Sequence, residues 1–258
     1  MNSRPILVCD FDGVIVDGMN EYWWSARQAC IELLPDKCEP DILPEKVPTT
    51  FRKLRPWIHH GWEMVVIAAE HLLTKEPLPI EEANIFAENY PLRLHEALKR
   101  WGWKSSQVQE ALESVRRKGL AFDRGSWLAH HRAFPNVVER LQALENESID
   151  LIVLTTKGRE FTNEILQHLN LKPKKVFGHE AGSKSTVLMD LAKTYSIKGF
   201  IEDRRETLET IISIKQLSNI PCYLASWGYL KPKDIIDLPK GIHILKTEVM
   251  NQPLKDWA

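Results

Sequence analysis

The chain has 258 residues, 43% of them hydrophobic, and a formal net charge of −1 with Lys and Arg spread throughout. That size suits one large domain or two modest ones, and the charge argues against a nucleic-acid-binding surface or a polybasic membrane contact. No apolar run approaches the length of a membrane span, Pro5 to Val8 is too short for a signal peptide and is followed by acids, and the cysteines at 9, 30, 38 and 222 have no CxxC spacing, so a reduced cytoplasmic protein is the simplest expectation.

Pro5 to Val8 is a short apolar run of the kind that forms a buried parallel strand, and it stops on Asp10 and Asp12 with Gly13 directly after. From Met19 to Leu34 the apolar spacing turns helical and takes in Tyr22, Trp23 and Trp24; Pro35 ends it. Four prolines between 35 and 48 mark a loop. Thr49 or Thr50 can cap a helix through Arg55, and Pro56 marks a break. Gly61 to Leu73, Ile80 to Asn89, Leu92 to Trp101 and Ser105 to Leu120 read as further helices, punctuated by Pro91 and Gly102. No convincing strand falls between about residues 18 and 132, a segment that holds seven of the nine tryptophans.

From about residue 133 the character reverses. A helix opens at Pro135-Asn136, and Ile149 to Leu154 is a β-type run ending in Thr155-Thr156-Lys157-Gly158. A helix over about 159–169, a brief strand at Lys175-Val176-Phe177, and a helix over 183–195 with Lys184 at its start follow. Gly199-Phe200-Ile201 is a strand ending on Glu202-Asp203, with a helix over about 205–217 behind it; Pro221 to Ala225 and Ile242 to Leu245 are late strands. Alternating strand and helix predicts an α/β fold, a doubly wound parallel sheet of Rossmann-like type with helices on both faces. The expected organisation is a split α/β core of roughly residues 1–17 plus 133–258, with an all-α cap over 18–132 inserted after the first strand.

Three strands thus end in polar residues suited to one reaction: Asp10 and Asp12, Thr155, then Glu202 and Asp203, with Lys184 joining from a helix start. In a parallel doubly wound sheet these ends lie on one side, where ligands bind. Clustered carboxylates repel one another unless a cation uses them, and oxygen-only ligation points to Mg²⁺. A Lys, a Thr and backbone amides then form a cradle for a phosphoryl group.

This arrangement resembles the haloacid dehalogenase (HAD) superfamily, in its phosphatase branch with a helical cap. Asp10-Phe11-Asp12-Gly13-Val14-Ile15-Val16-Asp17 is similar to the first family motif, Thr155 to the second, Lys184 to the third and Glu202-Asp203 to the fourth, while Ser226-Trp227-Gly228-Tyr229 resembles the phosphoglycolate-phosphatase-like group. Lys184 is followed by Ser185 rather than the frequent proline, and Thr207 stands where a further Asp is frequent. The resemblance implies a phosphatase acting on a small phosphorylated metabolite. Asp10 is then the nucleophile that forms an aspartyl-phosphate and Asp12 the acid–base. Thr155 and Lys184 hold the transferring oxygens, and Thr156 lies beside the substrate. Mg²⁺ sits on Asp10, the Asp12 carbonyl and Asp203, with Glu202 either a direct ligand or one shell further out.

Within the insert, Arg52, Arg55 and His59 lie close together, and arginine with histidine suits a carboxylate or a second phosphate on the substrate; solvated helix faces are the plainer reading of each. His59-His60 and His130-His131 lack metal-ligand spacing. Four rivals remain. A sugar phosphomutase of the same fold is compatible with the Glu-Asp pair. A phosphonatase needs a cap lysine such as Lys37, Lys46 or Lys53. A dehalogenase needs neither Asp12 nor Asp203, and a catalytically silent binding protein has no use for intact Asp10 and Asp12.

Overall fold

The computed structural model describes residues 3–34, 43–73 and 78–257. The chain divides into two compact units, one made of Met1–Asp17 with Arg132–Ala258 and the other of Gly18–His131. Cys38 and Lys37 lie outside the described residues; Cys9, Cys30 and Cys222 are buried and unbridged.

The second unit is helical throughout its described residues. It contains α1 (Met19–Leu33), α2 (Thr49–Leu54), α3 (Gly61–Glu70), α4 (Ile80–Glu88), α5 (Tyr90–Trp101) and α6 (Ser105–Ala129). Helix α5 begins earlier than its apolar spacing predicts, because Pro91 in its first turn lacks only an N–H that the helix leaves unpaired there. Helix α6 runs nine residues beyond the predicted Leu120 but is broken at Asp123, whose backbone is extended and whose Oδ1 accepts a hydrogen bond from Ser126 N–H at 2.9 Å. That carboxylate caps a new helical turn, so the chain resumes instead of stopping. The core of the unit is apolar, with Trp23 and Trp127 fully enclosed. It also carries a buried ion pair: Arg116 grips Glu21 through Nε and Nη2 at 2.7 and 3.0 Å, with Ser25 Oγ donating to the same carboxylate.

The first unit holds the sheet. Its strands are β1 (Ile6–Cys9), β2 (Val16–Asp17), β3 (Arg132–Ala133), β4 (Asp150–Leu154), β5 (Lys175–Phe177), β6 (Ile197–Glu202), β7 (Cys222–Ala225) and β8 (Ile242–Leu245). Helices α7 (Val137–Gln142), α8 (Arg159–His168), α9 (Lys184–Ala192), α10 (Arg205–Ser213) and α11 (Thr247–Met250) connect and cover them. The sheet order is β5-β4-β1-β6-β7-β8, with every neighbouring pair parallel. Strand β1 is apolar at every position because it is buried on both faces. Ile6 and Val8 pack with Ile152, Leu154, Phe200, Leu188 and Leu208 in one cluster. Each such side chain contributes roughly 1.5–3 kcal/mol by leaving water. The chain steps from β1 outward through β4 to β5, then returns to the other side of β1 for β6, β7 and β8. That reversal opens a crevice at the carboxyl ends of β1 and β6.

A two-stranded antiparallel ribbon was not predicted. Val16 pairs with Ala133 and Asp17 with Arg132, and Phe134 N–H donates to Ile15 O at 3.0 Å. Two-residue strands more than a hundred positions apart leave no periodicity in the sequence. No helix among the described residues is long and apolar enough to cross a membrane.

Candidate active site

Asp10 is the first residue beyond β1, and its N–H donates to Ile201 O on β6 at 2.8 Å, so the sheet ladder itself fixes its position. The chain then folds tightly on itself: Ile15 and Val16 N–H both donate to Phe11 O, and Gly13 N–H donates to Val16 O. This small loop needs glycine at 13, where φ is +91° and a Cβ would stand 1.9 Å from Asp203 Oδ2. It leaves Asp10 buried and Asp12 part-exposed.

Glu202 ends β6 and Asp203 follows it; both are buried. Lys184 is the first residue of α9, whose N-cap is Ser183, its Oγ accepting from Thr186 N–H. Ser183 thus caps the helix that Lys184 opens. Lys184 Nζ reaches Glu202 Oε2 at 2.6 Å and Asp10 Oδ1 at 2.8 Å. The contact with Glu202 is a well-formed hydrogen bond, whereas the one with Asp10 is a charge contact outside hydrogen-bonding angles, leaving Oδ1 buried without a directed donor. Beyond β4, Thr155 Oγ1 accepts from Lys157 N–H at 3.1 Å, and the Lys157 side chain turns inward so that its Nζ lies 3.6 Å from Asp12 Oδ1.

Electrostatics follow from burial. Loss of solvent pushes the Asp10 carboxyl up from 3.8 to about 7, with the Glu202 charge adding to the rise and Lys184 opposing it. Burial likewise raises Glu202, against the pull of Lys184. For Lys184 burial disfavours the ammonium, but the Asp10 and Glu202 carboxylates outweigh it and hold its pKa above the ordinary lysine value.

Asp203 is held from three sides. Tyr229 N–H donates to its Oδ2 at 2.9 Å, and Gly13 and Gly228 both approach so closely that a Cβ on either would overlap the side chain. The same loop after β7 sends Trp227 Nε1–H to Val14 O at 3.0 Å and the Tyr229 hydroxyl to Asp17 Oδ1 at 2.5 Å.

The predicted residues Asp10, Asp12, Thr155, Lys184, Glu202 and Asp203 therefore stand at the carboxyl ends of the neighbouring strands β1, β4 and β6 and the start of α9, with Thr156 half-buried beside Thr155. Arg52, Arg55 and His59 belong to the helical unit. There Arg52 is exposed, and Arg55 lies over the Tyr22 ring at 5.0 Å while donating to Ile58 O. His59 and His60 give their backbone N–H groups to Glu63, at 2.9 and 3.1 Å, and the His60 side chain completes a capping box at the start of α3. The sequence reading gave no role to Lys157 or to the backbone of Tyr229. A lysine in a Thr-Thr-Lys-Gly turn reads as solvated, and only its burial shows otherwise.

One carboxylate oxygen from each of Asp10, Glu202 and Asp203 lies within 4.8 Å of the others, all three residues being buried. The acids Asp10, Asp12, Glu202 and Asp203 outnumber the ammoniums of Lys157 and Lys184 around the crevice. The donors are all hard oxygens and Asp10 Oδ1 has no directed donor, so the residues present fit a small divalent cation of the Mg²⁺ type.

No protein-family model matches the chain, and no curated protein matches it by sequence. Solved structures do. The chain is similar to a predicted phosphatase from Clostridium acetobutylicum at 13% identity, covering 96% of each chain with a TM-score of 0.61. It is also similar to a predicted phosphoglycolate phosphatase from Haemophilus somnus 129PT at 15% identity, covering 94% of each chain with a TM-score of 0.55. A haloacid dehalogenase-like family hydrolase from Streptococcus pneumoniae aligns at 16% identity over 95% of each chain, with a TM-score of 0.50. The fold is the HAD-like α/β fold.

Proposed function

We propose that this chain is a Mg²⁺-dependent phosphatase that hydrolyses a small organic phosphomonoester through an aspartyl-phosphate. The observation that carries the reading is the placement of Asp10 at the end of the central strand, with Lys184 2.8 Å from its carboxylate and Glu202 and Asp203 beside it. An acid in that position has an in-line face for phosphorus and a cation to draw the phosphoryl oxygens. Asp10, Glu202 and Asp203, with the Asp12 carbonyl, would hold Mg²⁺, which supplies positive charge against the buried carboxylates and the phosphoryl group.

In this reading the Asp10 carboxylate attacks phosphorus, the bond from phosphorus to the leaving oxygen breaks, and Asp12 delivers its proton to that oxygen. Asp12, now ionised, takes a proton from the water that cleaves the acyl phosphate; acid–base help of this type is worth ~10²–10⁴-fold. Thr155 Oγ1, which already accepts from Lys157 N–H, keeps its own hydrogen for a phosphoryl oxygen, and Lys184 Nζ binds another. Lys184 also offsets the repulsion between Asp10 and the incoming anion, and the Glu202 carboxylate fixes where its ammonium stands. Arg52, Arg55 and His59, in the helical unit that follows Asp17 in the chain, are the candidates for reading the rest of the substrate in this proposal.

The test is hydrolysis of para-nitrophenyl phosphate with and without Mg²⁺. Multiple-turnover phosphate release that needs Mg²⁺ and is lost in Asp10→Asn is the expected result. Activity that persists in Asp10→Asn refutes the nucleophile, and phosphoryl transfer to a sugar without release of phosphate would replace hydrolysis by mutase chemistry.

A further inference from the structure

The two lysines of the crevice touch different acids. Lys184 stands against Asp10 and Glu202, the side of the site where the phosphoryl group is proposed to be transferred. Lys157 stands against Asp12, the proposed proton donor, with its side chain only 2% exposed. A buried ammonium carries a large desolvation cost and persists only where charge partners or ligands compensate it.

The backbone around Lys157 is arranged to aim it. Its N–H is tied to Thr155 Oγ1 and its carbonyl accepts from His179 N–H, so the turn after β4 is fixed on both sides. Its Nζ then lies 3.6 Å from Asp12 Oδ1, beyond the usual length of a hydrogen bond. A ligand oxygen lying beside the pair, about 2.8 Å from each atom and about 2 Å off the line that joins them, makes a hydrogen bond to both. The atom that must meet Asp12 in the proposed reaction is the leaving-group oxygen, which receives its proton.

We propose that Lys157 is a catalytic residue that donates a hydrogen bond to the leaving-group oxygen while Asp12 protonates it. The assignment rests on the phosphatase reading above. As the phosphorus–oxygen bond breaks, negative charge gathers on that oxygen; the Asp12 proton passes to it, the new bond from Asp10 to phosphorus forms, and Lys157 keeps its own proton throughout. Its contribution grows with the charge on the oxygen. It therefore matters most for esters whose alcohols are weak acids and least for activated aryl esters.

The experiment measures kcat/KM for a series running from para-nitrophenyl phosphate through phenyl phosphate to a simple alkyl phosphate, with wild type, Lys157→Met and Lys157→Arg. Loss of one donor to a developing oxyanion is worth about 10²–10³-fold. Lys157→Met is expected to lose that much on the alkyl ester and less than about tenfold on the nitrophenyl ester, steepening the dependence on leaving-group acidity. Lys157→Arg keeps a donor but not its placement and is expected to recover only part of the alkyl-ester rate, with a dependence on leaving-group acidity between those of wild type and Lys157→Met. A uniform loss across the series in Lys157→Met, or a series unchanged from wild type, overturns the assignment while leaving the phosphatase reading in place. If Lys157→Met does not fold, Lys157→Arg decides: a dependence steeper than wild type supports the assignment and an unaltered one overturns it. A wild-type protein that hydrolyses none of these esters overturns the phosphatase reading and the assignment with it.

Discussion

Asp10 gives the sharpest test of the electrostatics, because its burial makes a signed prediction for the metal-free protein. Its carboxyl is raised from 3.8 to about 7 in the folded chain, chiefly by burial and then by the Glu202 charge. A carboxyl whose folded pKa lies above its unfolded value binds its proton more tightly when folded. The stability it contributes is complete below pH 3.8 and is lost as the pH rises through about 7. Between pH 5 and pH 8 that loss comes to about 2–3 kcal/mol, and Glu202, raised in the same direction, adds to it. At roughly 2–4 °C per kcal/mol, the melting temperature in EDTA should fall by roughly 5–10 °C over that interval. Asp10→Asn removes the titrating group, so its melting temperature should fall by much less and exceed that of wild type at pH 8. Mg²⁺ should raise the wild-type melting temperature more at pH 8 than at pH 5, since at pH 5 it competes with the Asp10 proton. Equal pH slopes for wild type and Asp10→Asn in EDTA, or a wild type that gains stability as pH rises, would refute the claim that burial dominates at Asp10.

Gly13→Ala forces a side chain into a position with φ +91° and 1.9 Å from Asp203 Oδ2; it should cost about 1–3 kcal/mol and weaken Mg²⁺ binding, read by calorimetric titration, and unchanged affinity would mean that Asp203 is not a ligand. Lys184→Met leaves Glu202 buried beside Asp203 without its cation and should destabilise the protein by about 3–5 kcal/mol in urea unfolding at pH 8, with the deficit smaller at pH 5, where the raised carboxyls take up protons. In the helical unit, Arg116→Met alone should cost about 3–5 kcal/mol, and the double variant Glu21→Leu with Arg116→Met should be more stable than Arg116→Met, because no charge is then left buried; additive losses in a double-mutant cycle would show that the two do not act as a pair.

The elements of the sheet and the acids at their ends were legible because each strand is a short apolar run stopped by polar residues, as Ile152-Val153-Leu154 before Thr155 and Phe200-Ile201 before Glu202. Strand order was not, since nothing local in the sequence says that β1 lies between β4 and β6. The ribbon of β2 and β3 was hidden for the same reason. The helix predicted to end at Leu120 continues because the Asp123 side chain caps a further turn, a contact that no periodicity announces. In the site, Lys157 was missed because a lysine in a turn is usually exposed, and burial is a tertiary fact. Tyr229 was missed as a partner of Asp203 because the contact is made by its backbone N–H, which every residue except proline carries. His59, singled out by its neighbours in sequence, gives its backbone N–H to Glu63 ahead of a helix start, a contact its side chain does not announce.

The position of β1 in the sheet order bears on how the chain folds as it is made. Its ladder partners are β4, which begins at Asp150, and β6, which ends at Glu202. The helical unit, Gly18–His131, is made entirely of contacts within a continuous stretch and emerges between them. On a ribosome that order of synthesis lets the helical unit form first, while Ile6-Leu7-Val8-Cys9 waits as an unpaired apolar strand until β4 is out at Leu154 and keeps one open edge until β6 is complete at Glu202. The same four residues that anchor Asp10 in the finished protein are thus the segment most in need of shielding during synthesis, and truncated nascent chains should engage chaperones through them until β6 arrives.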